Sequence, residues 1–369
     1  MRRDLRILFA GGGTGGHVYP AIYMAEYLSK HWGASCRFVG TRKGIESNKV
    51  PLAGFLVRFI WISGFRRSLS LSNLLFPLKL LVSSMQSRKI IKEIKPHLVI
   101  GTGGYVSGPV LRQAVKMNIP TAIQEQNSYP GVTTRLLASR VNCVLLAYEE
   151  ALAHLKNVKH YRLVGNPIRE NRRSDNFHEA IQYFGLKKGM RTILIFGGSQ
   201  GARNINQAID HILQMNKLKD IQVIWQTGSG DFDKYRNKYQ NYNTIKLSIL
   251  SFIDRMDFAY TISSLAVTRA GAMTISELAA AGLPAILIPY PHAAANHQYK
   301  NAATIAARNG AIVLEDNPKL ADPLFEAIVS LLSGAEKIEE MSKNIKSFHS
   351  ENTMHDIAEE LANLVENKH

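Results

Sequence analysis

The chain has 369 residues, 46% of them apolar, with 45 Lys and Arg against 29 Asp and Glu and a net charge of +16. That length exceeds one ordinary core and suits two domains, and the apolar fraction excludes a disordered chain. The two cysteines, Cys36 and Cys143, belong to no C-x-x-C motif or Cys/His cluster, which argues against a disulfide framework or structural zinc and fits a reducing cytoplasm.

The opening Met1-Arg2-Arg3-Asp4 runs into an apolar stretch too brief for a secretory core, and no run reaches the ~18–20 apolar residues of a membrane span. From there short β-branched runs alternate with amphipathic stretches. In the first half, strands are expected at Leu5–Ala10, Cys36–Val39, Leu98–Ile100, Thr121–Ile123, Val141–Ala147 and Arg162–Val164. In the second they are expected at Thr192–Phe196, Gln222–Gln226, Thr244–Leu247, Leu265–Thr268, Ala285–Ile288 and Ala311–Leu314. Helical patterns fill gaps such as Tyr19–His31, Leu74–Ile94, Gly108–Met117, Asn204–Leu213 and Thr274–Ala281. The tail reads as a last helix, about 345–369, expected to pack on the first domain.

Regular alternation of strand and helix predicts an α/β protein with parallel sheets covered on both faces. Two such series, each opening on a strand and a glycine-rich turn, predict two doubly wound domains, 1–165 and 166–344, divided at the breaker Gly165-Asn166-Pro167.

Charge is unevenly placed. Residues 1–165 carry 23 Lys and Arg against 7 Asp and Glu, whereas residues 166–369 carry 22 of each. A basic first half points to an acidic partner (nucleic acid, anionic lipid or a phosphorylated substrate) or to a generally basic surface. No helix-turn-helix signal, RNP-type strand, zinc finger or basic tail accompanies it, so nucleic acid is not expected.

Three loops have the form that holds phosphates beyond the carboxyl ends of parallel strands: Gly11–Ala21 (GGGTGGHVYPA), Gly101–Pro109 (GTGGYVSGP) and Gly197–Arg203 (GGSQGAR). Gly11-x-Gly13-x-x-Gly16 also fits the dinucleotide fingerprint, which wants an acid ending the second strand. That strand ends Val39-Gly40-Thr41-Arg42, which leaves open only an NADP-type protein using Arg42. No P-loop motif is present. His17, opening a helix after the first loop, is a candidate general base, or a histidine that merely bonds backbone. In Arg269–Ala302, Thr274-x-x-Glu277 opens a helix and also fits a capping box with Thr274 as N-cap. Asp231-Phe232-Asp233 looks like a metal-binding D-x-D but stands apart from the other motifs and reads as solvated surface.

Taken in order, the three loops, QEQNSYPG (Gln124–Gly131), VGNPIR (Val164–Arg169) and Arg269–Ala302 closely resemble the MurG family of bacterial peptidoglycan glycosyltransferases. The resemblance implies a GT-B architecture, two Rossmann-like domains facing across a cleft. It implies inverting transfer of N-acetylglucosamine from UDP-N-acetylglucosamine to the 4-hydroxyl of the lipid-linked muramoyl-pentapeptide (lipid I to lipid II), with no cofactor or metal required. For the donor it implies the Ile253 backbone at the uracil, Arg169 near that ring and Ser199 at the diphosphate. Ala272, Met273, Thr274, Ile275, Ser276 and Glu277 would line the nucleotide, with Glu277 accepting from the ribose. Gln298 would read the sugar hydroxyls, and Thr14, Gly15, Gly16 and Asn127 would approach the donor from the first domain. Gly13, Gly101, Thr102, Gly103, Gly104 and Tyr105 would face the acceptor diphosphate. His17 is the implied base, with Glu125 in reserve or else a structural carboxylate. Where many members of the family carry acidic residues, this chain has Ala295-Asn296. A nucleotide-sugar- or NADP-binding protein without transferase activity is the alternative.

A lipid acceptor would give the charge asymmetry a purpose. Residues 69–95 combine Leu74, Leu75, Phe76, Leu78, Leu81 and Val82 with Lys79, Arg88, Lys89, Lys92 and Lys95. That pattern suits either a helix lying on an anionic membrane surface or an ordinary core-facing helix. The expected location is peripheral, on the cytoplasmic face of the inner membrane, with other cell-wall synthesis proteins as further partners.

Overall fold

The computed structural model describes residues 4–64, 75–169, 174–198 and 201–366. Contacts divide the chain into two units, one formed by Met1–Ile168 with Ser350–His369, the other by Arg169–His349.

Unit 1 contains β1 (Arg6–Gly11), α1 (Gly15–Trp32), β2 (Ser35–Gly40), α2 (Glu46–Leu52), β3 (Leu56–Phe59), α3 (Phe76–Ile94) and β4 (Leu98–Gly103). It continues through α4 (Gly104–Lys116), β5 (Thr121–Glu125), α5 (Val132–Leu137), β6 (Cys143–Leu146) and β7 (Tyr161–Leu163). The seven strands are parallel in the order β3-β2-β1-β4-β5-β6-β7. Strand order reverses between β1 and β4, so the loops after these two strands flank the crevice where open α/β sheets bind ligands. At that point the β1–β4 register slips: Ala10 faces Gly101 but Gly11 faces Gly103, leaving Thr102 unpaired in the ladder. β3 was not foreseen; its short alternation of exposed and half-buried residues, with Leu56 and Arg58 outward, is that of an edge strand.

Unit 2 repeats the plan. It has α6 (Phe177–Phe184), β8 (Arg191–Phe196), α7 (Arg203–Gln214), β9 (Ile221–Gln226), α8 (Phe232–Lys238), β10 (Lys246–Leu250) and α9 (Met256–Ile262). Then follow β11 (Leu265–Thr268), α10 (Ala272–Ala281), β12 (Ala285–Leu287), α11 (His297–Ala306), β13 (Ala311–Val313), α12 (Ala321–Ser333) and α13 (Ala335–Lys346). The order is β10-β9-β8-β11-β12-β13, which puts the reversal between β8 and β11.

The last helix is present but begins later than the expected 345. α13 ends at Lys346, and α14 (Thr353–Glu366) starts a new axis after a break. Met354, Ile357, Ala358 and Leu361 of α14 lie in one cluster with Leu5, Ile7, Cys143 and Val164 of unit 1. Burying these four side chains is worth about 6 kcal/mol as an upper estimate. Both cysteines are free and buried, and burial pushes the Cys36 thiol up to about 11. Among the described residues no helix is long and apolar enough to cross a membrane.

Candidate active site

The first glycine loop is held from behind by a carboxylate that the sequence did not mark. Glu46, at the start of α2 and 1% exposed, accepts from the Gly13 amide at 3.0 Å and from the Thr41 amide and hydroxyl at 2.8 Å each. A Cβ on Gly12, Gly40 or Gly44 would strike this side chain, so three glycines at the ends of β1 and β2 make room for one carboxylate. Charge-assisted bonds from amides offset the lost hydration of the buried anion. Gly13 therefore cannot offer its N–H to an acceptor phosphate. The groups that remain open lie one step on: Thr14 is the N-cap of α1 without a side-chain capping bond, and Gly15 and Gly16 form the first turn, whose amides lack helical acceptors.

His17 follows at the third helical position. Its Nδ1 lies 3.1 Å from Gln126 Oε1, and its carbonyl accepts from Thr102 Oγ1 at 2.7 Å. Gly103 stands at φ +101°, and a Cβ there would lie 2.7 Å from His17 Nδ1; one on Gly104 would lie 3.3 Å from Cδ2. The imidazole thus rests against bare backbone. Glycine loop, register slip and QEQN motif all converge on this one ring.

The acceptor-loop residues divide by geometry. Gly101 is buried because Leu111 of α4 fills the space beside it, Thr102 is spent on the His17 carbonyl, and the Gly103 amide donates to Ser107 Oγ at 3.1 Å. Gly104 and Tyr105 are the partly exposed members, with Tyr105 against Gly13 and Gly64. Glu125 is not poised as a base. Its Oε1 accepts from the Asn127 amide and side chain at 3.1 Å each, and its Oε2 from the Gly131 amide at 3.0 Å and Thr134 Oγ1 at 2.6 Å. Four donors on a 3% exposed carboxylate make it the brace of the 126–134 turn.

In unit 2 the loop after β8 carries Gly198 at φ +87° and Gly201 at φ +77°; Ser199 lies outside the described residues. Gln226, ending β9, ties this loop to the next: its Nε2 donates to Gly198 O and its Oε1 accepts from the Ile253 amide, both at 2.9 Å. The Ile253 N–H is therefore not available to a base edge, and its side chain is 1% exposed; the carbonyl is the group left to read one. After β11, α10 begins at Ala272 with Gly271 as N-cap. Thr274 is inside the helix, so the capping-box alternative fails. Glu277 instead accepts from the Tyr260 hydroxyl at 2.9 Å.

The first-turn amides of Ala272, Met273 and Thr274 have no partner within the helix. Ile275 is fully buried with its amide on Gly271 O, and Ser276 Oγ turns back to Ala272 O at 3.0 Å, so neither faces a ligand by its side chain. Arg169 is exposed. Gln298 Oε1 accepts from the Tyr290 amide at 2.9 Å. Ala295 and Asn296 both take left-handed φ, +52° and +56°, a conformation disfavoured for alanine and of the kind that collects near ligand sites.

Asp231 opens α8 and accepts from Asn206 Nδ2 at 2.9 Å, a bond that holds the loop after β9. Among the described residues, folding does create one Cys/His/Glu trio that spacing hid. Cys143, His160 and Glu360 have ligand atoms within 4.8 Å of one another. Glu360 is engaged by His160 Nε2 at 2.7 Å and Arg162 at 3.6 Å, and burial, then Glu360, push the Cys143 thiol up. We read the trio as the strap that holds α14 beside β7.

Arg255 chelates Asp257 with Nε and Nη2, at 2.9 and 2.7 Å, while its guanidinium lies 3.4 Å from the Phe258 ring centroid. The hydrogen bond from Arg255 is the main cause that holds the Asp257 carboxyl below its usual 3.8. A depressed folded pKa contributes stability that is complete above the unfolded value and lost as pH falls through the folded one. Asp257→Asn is expected to lower the unit 2 melting temperature by no more than a few degrees at pH 7, because the pair is part-exposed. The gap from the parent should close once pH drops below the folded value; an unchanged gap in acid melts would contradict this.

The glycosyltransferase family 28 N-terminal domain matches residues 7–146 and the family 28 C-terminal domain residues 192–361. The chain belongs to glycosyltransferase family 28, with two Rossmann-like domains of the GT-B kind. It is 41% identical over 371 residues to the UDP-N-acetylglucosamine--N-acetylmuramyl-(pentapeptide) pyrophosphoryl-undecaprenol N-acetylglucosamine transferase of Christiangramia forsetii, with 100% of both chains covered. To the enzyme of the same description from Flavobacterium psychrophilum it is 42% identical over 368 residues, with 98% of each covered. More narrowly, then, it is a member of that family of N-acetylglucosamine transferases. In fold it matches the crystal structure of Acinetobacter baumannii MurG with a TM-score of 0.78 at 24% identity, over 97% of this chain and 99% of that one.

Proposed function

We propose that this chain is an inverting transferase that moves N-acetylglucosamine from UDP-N-acetylglucosamine to the 4-hydroxyl of the undecaprenyl-diphospho-muramoyl-pentapeptide. Unit 2 takes the donor. The Ile253 carbonyl accepts from the uracil, Glu277 accepts from the ribose, Gln298 meets the sugar, and the first-turn amides of α10 with the Gly197–Gly201 loop meet the diphosphate. Unit 1 takes the acceptor at Gly104 and Tyr105, while Thr14, Gly15 and Gly16 keep the donor-side role that the resemblance implies. His17 removes the proton as the hydroxyl oxygen bonds to the anomeric carbon and the bond to UDP breaks; the proton stays on the imidazole and the negative charge leaves with the diphosphate.

The observation that carries this reading over the dinucleotide-binding alternative is Glu46. The carboxylate nearest the end of β2 is buried and spent on Thr41 and Gly13, so it is not free to hold a ribose, and it takes the Gly13 amide that a pyrophosphate would use.

Peripheral attachment to the cytoplasmic leaflet fits α3. Leu75, Leu78, Leu81 and Met85 are all exposed along its first half, while Ile90, Ile91 and Ile94 anchor its second half in the core. Beside them a groove of about 330 Å³ runs between α3 and α4, apolar at Pro77 and Leu80 and basic at Arg112 and Lys116. An apolar strip with basic flanks suits an anionic surface, at about 1 kcal/mol per cation.

The test is ligand-dependent melting and vesicle sedimentation of the full chain. UDP-N-acetylglucosamine at a hundred times its Kd should stabilise by about 2.7 kcal/mol, UDP-N-acetylgalactosamine far less and NADPH not at all. The chain should sediment with anionic and not with neutral vesicles. Stabilisation by NADPH alone would overturn the reading.

A further inference from the structure

Three buried side-chain amides of unit 1 form a chain of hydrogen bonds with only one self-consistent direction. Asn166 Nδ2 donates to the Gln126 backbone carbonyl at 3.0 Å. A carbonyl oxygen can only accept, so the Asn166 amide is oriented and its Oδ1 must face Gln124. Gln124 presents Nε2 to that oxygen at 3.0 Å, which turns its own Oε1 to Gln126. Gln126 Nε2 then donates to Gln124 Oε1 and to the carbonyls of Thr102 and Gln124, the last two at 2.9 Å. Its Oε1 is left facing His17 Nδ1 at 3.1 Å. Gln124, Gln126 and Asn166 are 0%, 1% and 5% exposed, so an inverted amide would set like groups against each other with little water to separate them.

We propose that Gln126, oriented by Gln124 and Asn166, is a positioning residue that keeps the His17 proton on Nδ1 and so leaves the Nε2 lone pair for the reacting hydroxyl. The proposal rests on the reading of His17 as base. An amide oxygen accepts only from a protonated Nδ1, so of the two neutral tautomers one keeps the bond and the other turns lone pair against lone pair. The glycine cradle completes the arrangement. Gly103 and Gly104 lie against one side of the ring, which closes that side to rotation of the imidazole. The QEQN motif thereby divides its work: Glu125 braces the turn, and the two glutamines set the direction of a proton.

The experiment uses the full chain labelled with ¹⁵N-histidine, the His17 signals being those lost in His17→Gln. At about pH 8.5, where an ordinary imidazole is neutral, the parent should show the Nδ1–H tautomer with Nε2 unprotonated. Gln126→Met, which keeps length and removes the acceptor, should shift His17 towards the Nε2–H form. Its kcat should fall ~10²-fold, the lower end of what a general base contributes, with the KM for UDP-N-acetylglucosamine nearly unchanged. An Nε2–H tautomer in the parent, or an unchanged tautomer in Gln126→Met, would overturn the proposal; if the variant does not fold, the parent spectrum alone decides. Nδ1–H in the parent together with full turnover by His17→Ala would instead uphold the orienting role and remove the base assignment.

Discussion

His17→Ala is expected to lower turnover at saturating donor by ~10²–10⁴-fold, with the KM for UDP-N-acetylglucosamine within about a factor of two of the parent value. The split follows from where the groups stand. His17 belongs to unit 1, whereas the groups proposed to hold the nucleotide belong to unit 2. Loss of the imidazole removes an interaction made only as the hydroxyl attacks, so it should appear in kcat and leave donor affinity alone. Gly103→Ala should reproduce much of this loss with the histidine still present. A Cβ there would lie 2.7 Å from Nδ1 and 2.8 Å from Cε1, and φ of +101° adds backbone strain. Steady-state kinetics with donor and acceptor varied in turn check both variants. A raised donor KM with unchanged kcat in His17→Ala would mean the ring binds donor and does no proton transfer.

Glu46→Gln should be the most damaging conservative change in unit 1, although residue 46 meets no substrate in our reading. The carboxylate accepts from three donors. An amide can keep the two Thr41 bonds through its oxygen, but its NH₂ then faces the Gly13 N–H, two donors with no acceptor. We expect a loss of about 3 kcal/mol, or ~6–12 °C in the melting of a unit this size, and a further loss of turnover because the loop leading to Thr14 and His17 is no longer held. Glu46→Ala also empties the space for which Gly12, Gly40 and Gly44 have no side chains. If calorimetry and kinetics left Glu46→Gln within about 0.5 kcal/mol and twofold of the parent, a range typical of surface substitutions, the clamp would carry no weight.

Much of the architecture was legible because strand and helix periodicity is a local property. Twelve strands were placed to within three residues at either end, as at Leu265–Thr268, since runs buried on both faces read as continuous apolar stretches. The edge strand β3 escaped because half of it is solvated. The last helix was drawn from about 345, whereas α14 starts at Thr353, after the end of α13 at Lys346. α3 was ambiguous because an apolar stripe has the same spacing whether it meets a core or a membrane. The fold shows its first half exposed and its second buried.

What the sequence determined by itself is the set of candidates: the alternation, the glycine turns after β1, β4 and β8, the imidazole at a helix start, and the ordered motifs shared with a glycosyltransferase family. What only the tertiary structure decided is which of those groups are already engaged. Gly13 is spoken for by a carboxylate 33 residues away, Ile253 by a glutamine 27 residues away, and the His17 ring by an amide 109 residues away. A buried donor or acceptor must find a partner wherever the chain happens to return, and that choice depends on distances no local pattern encodes.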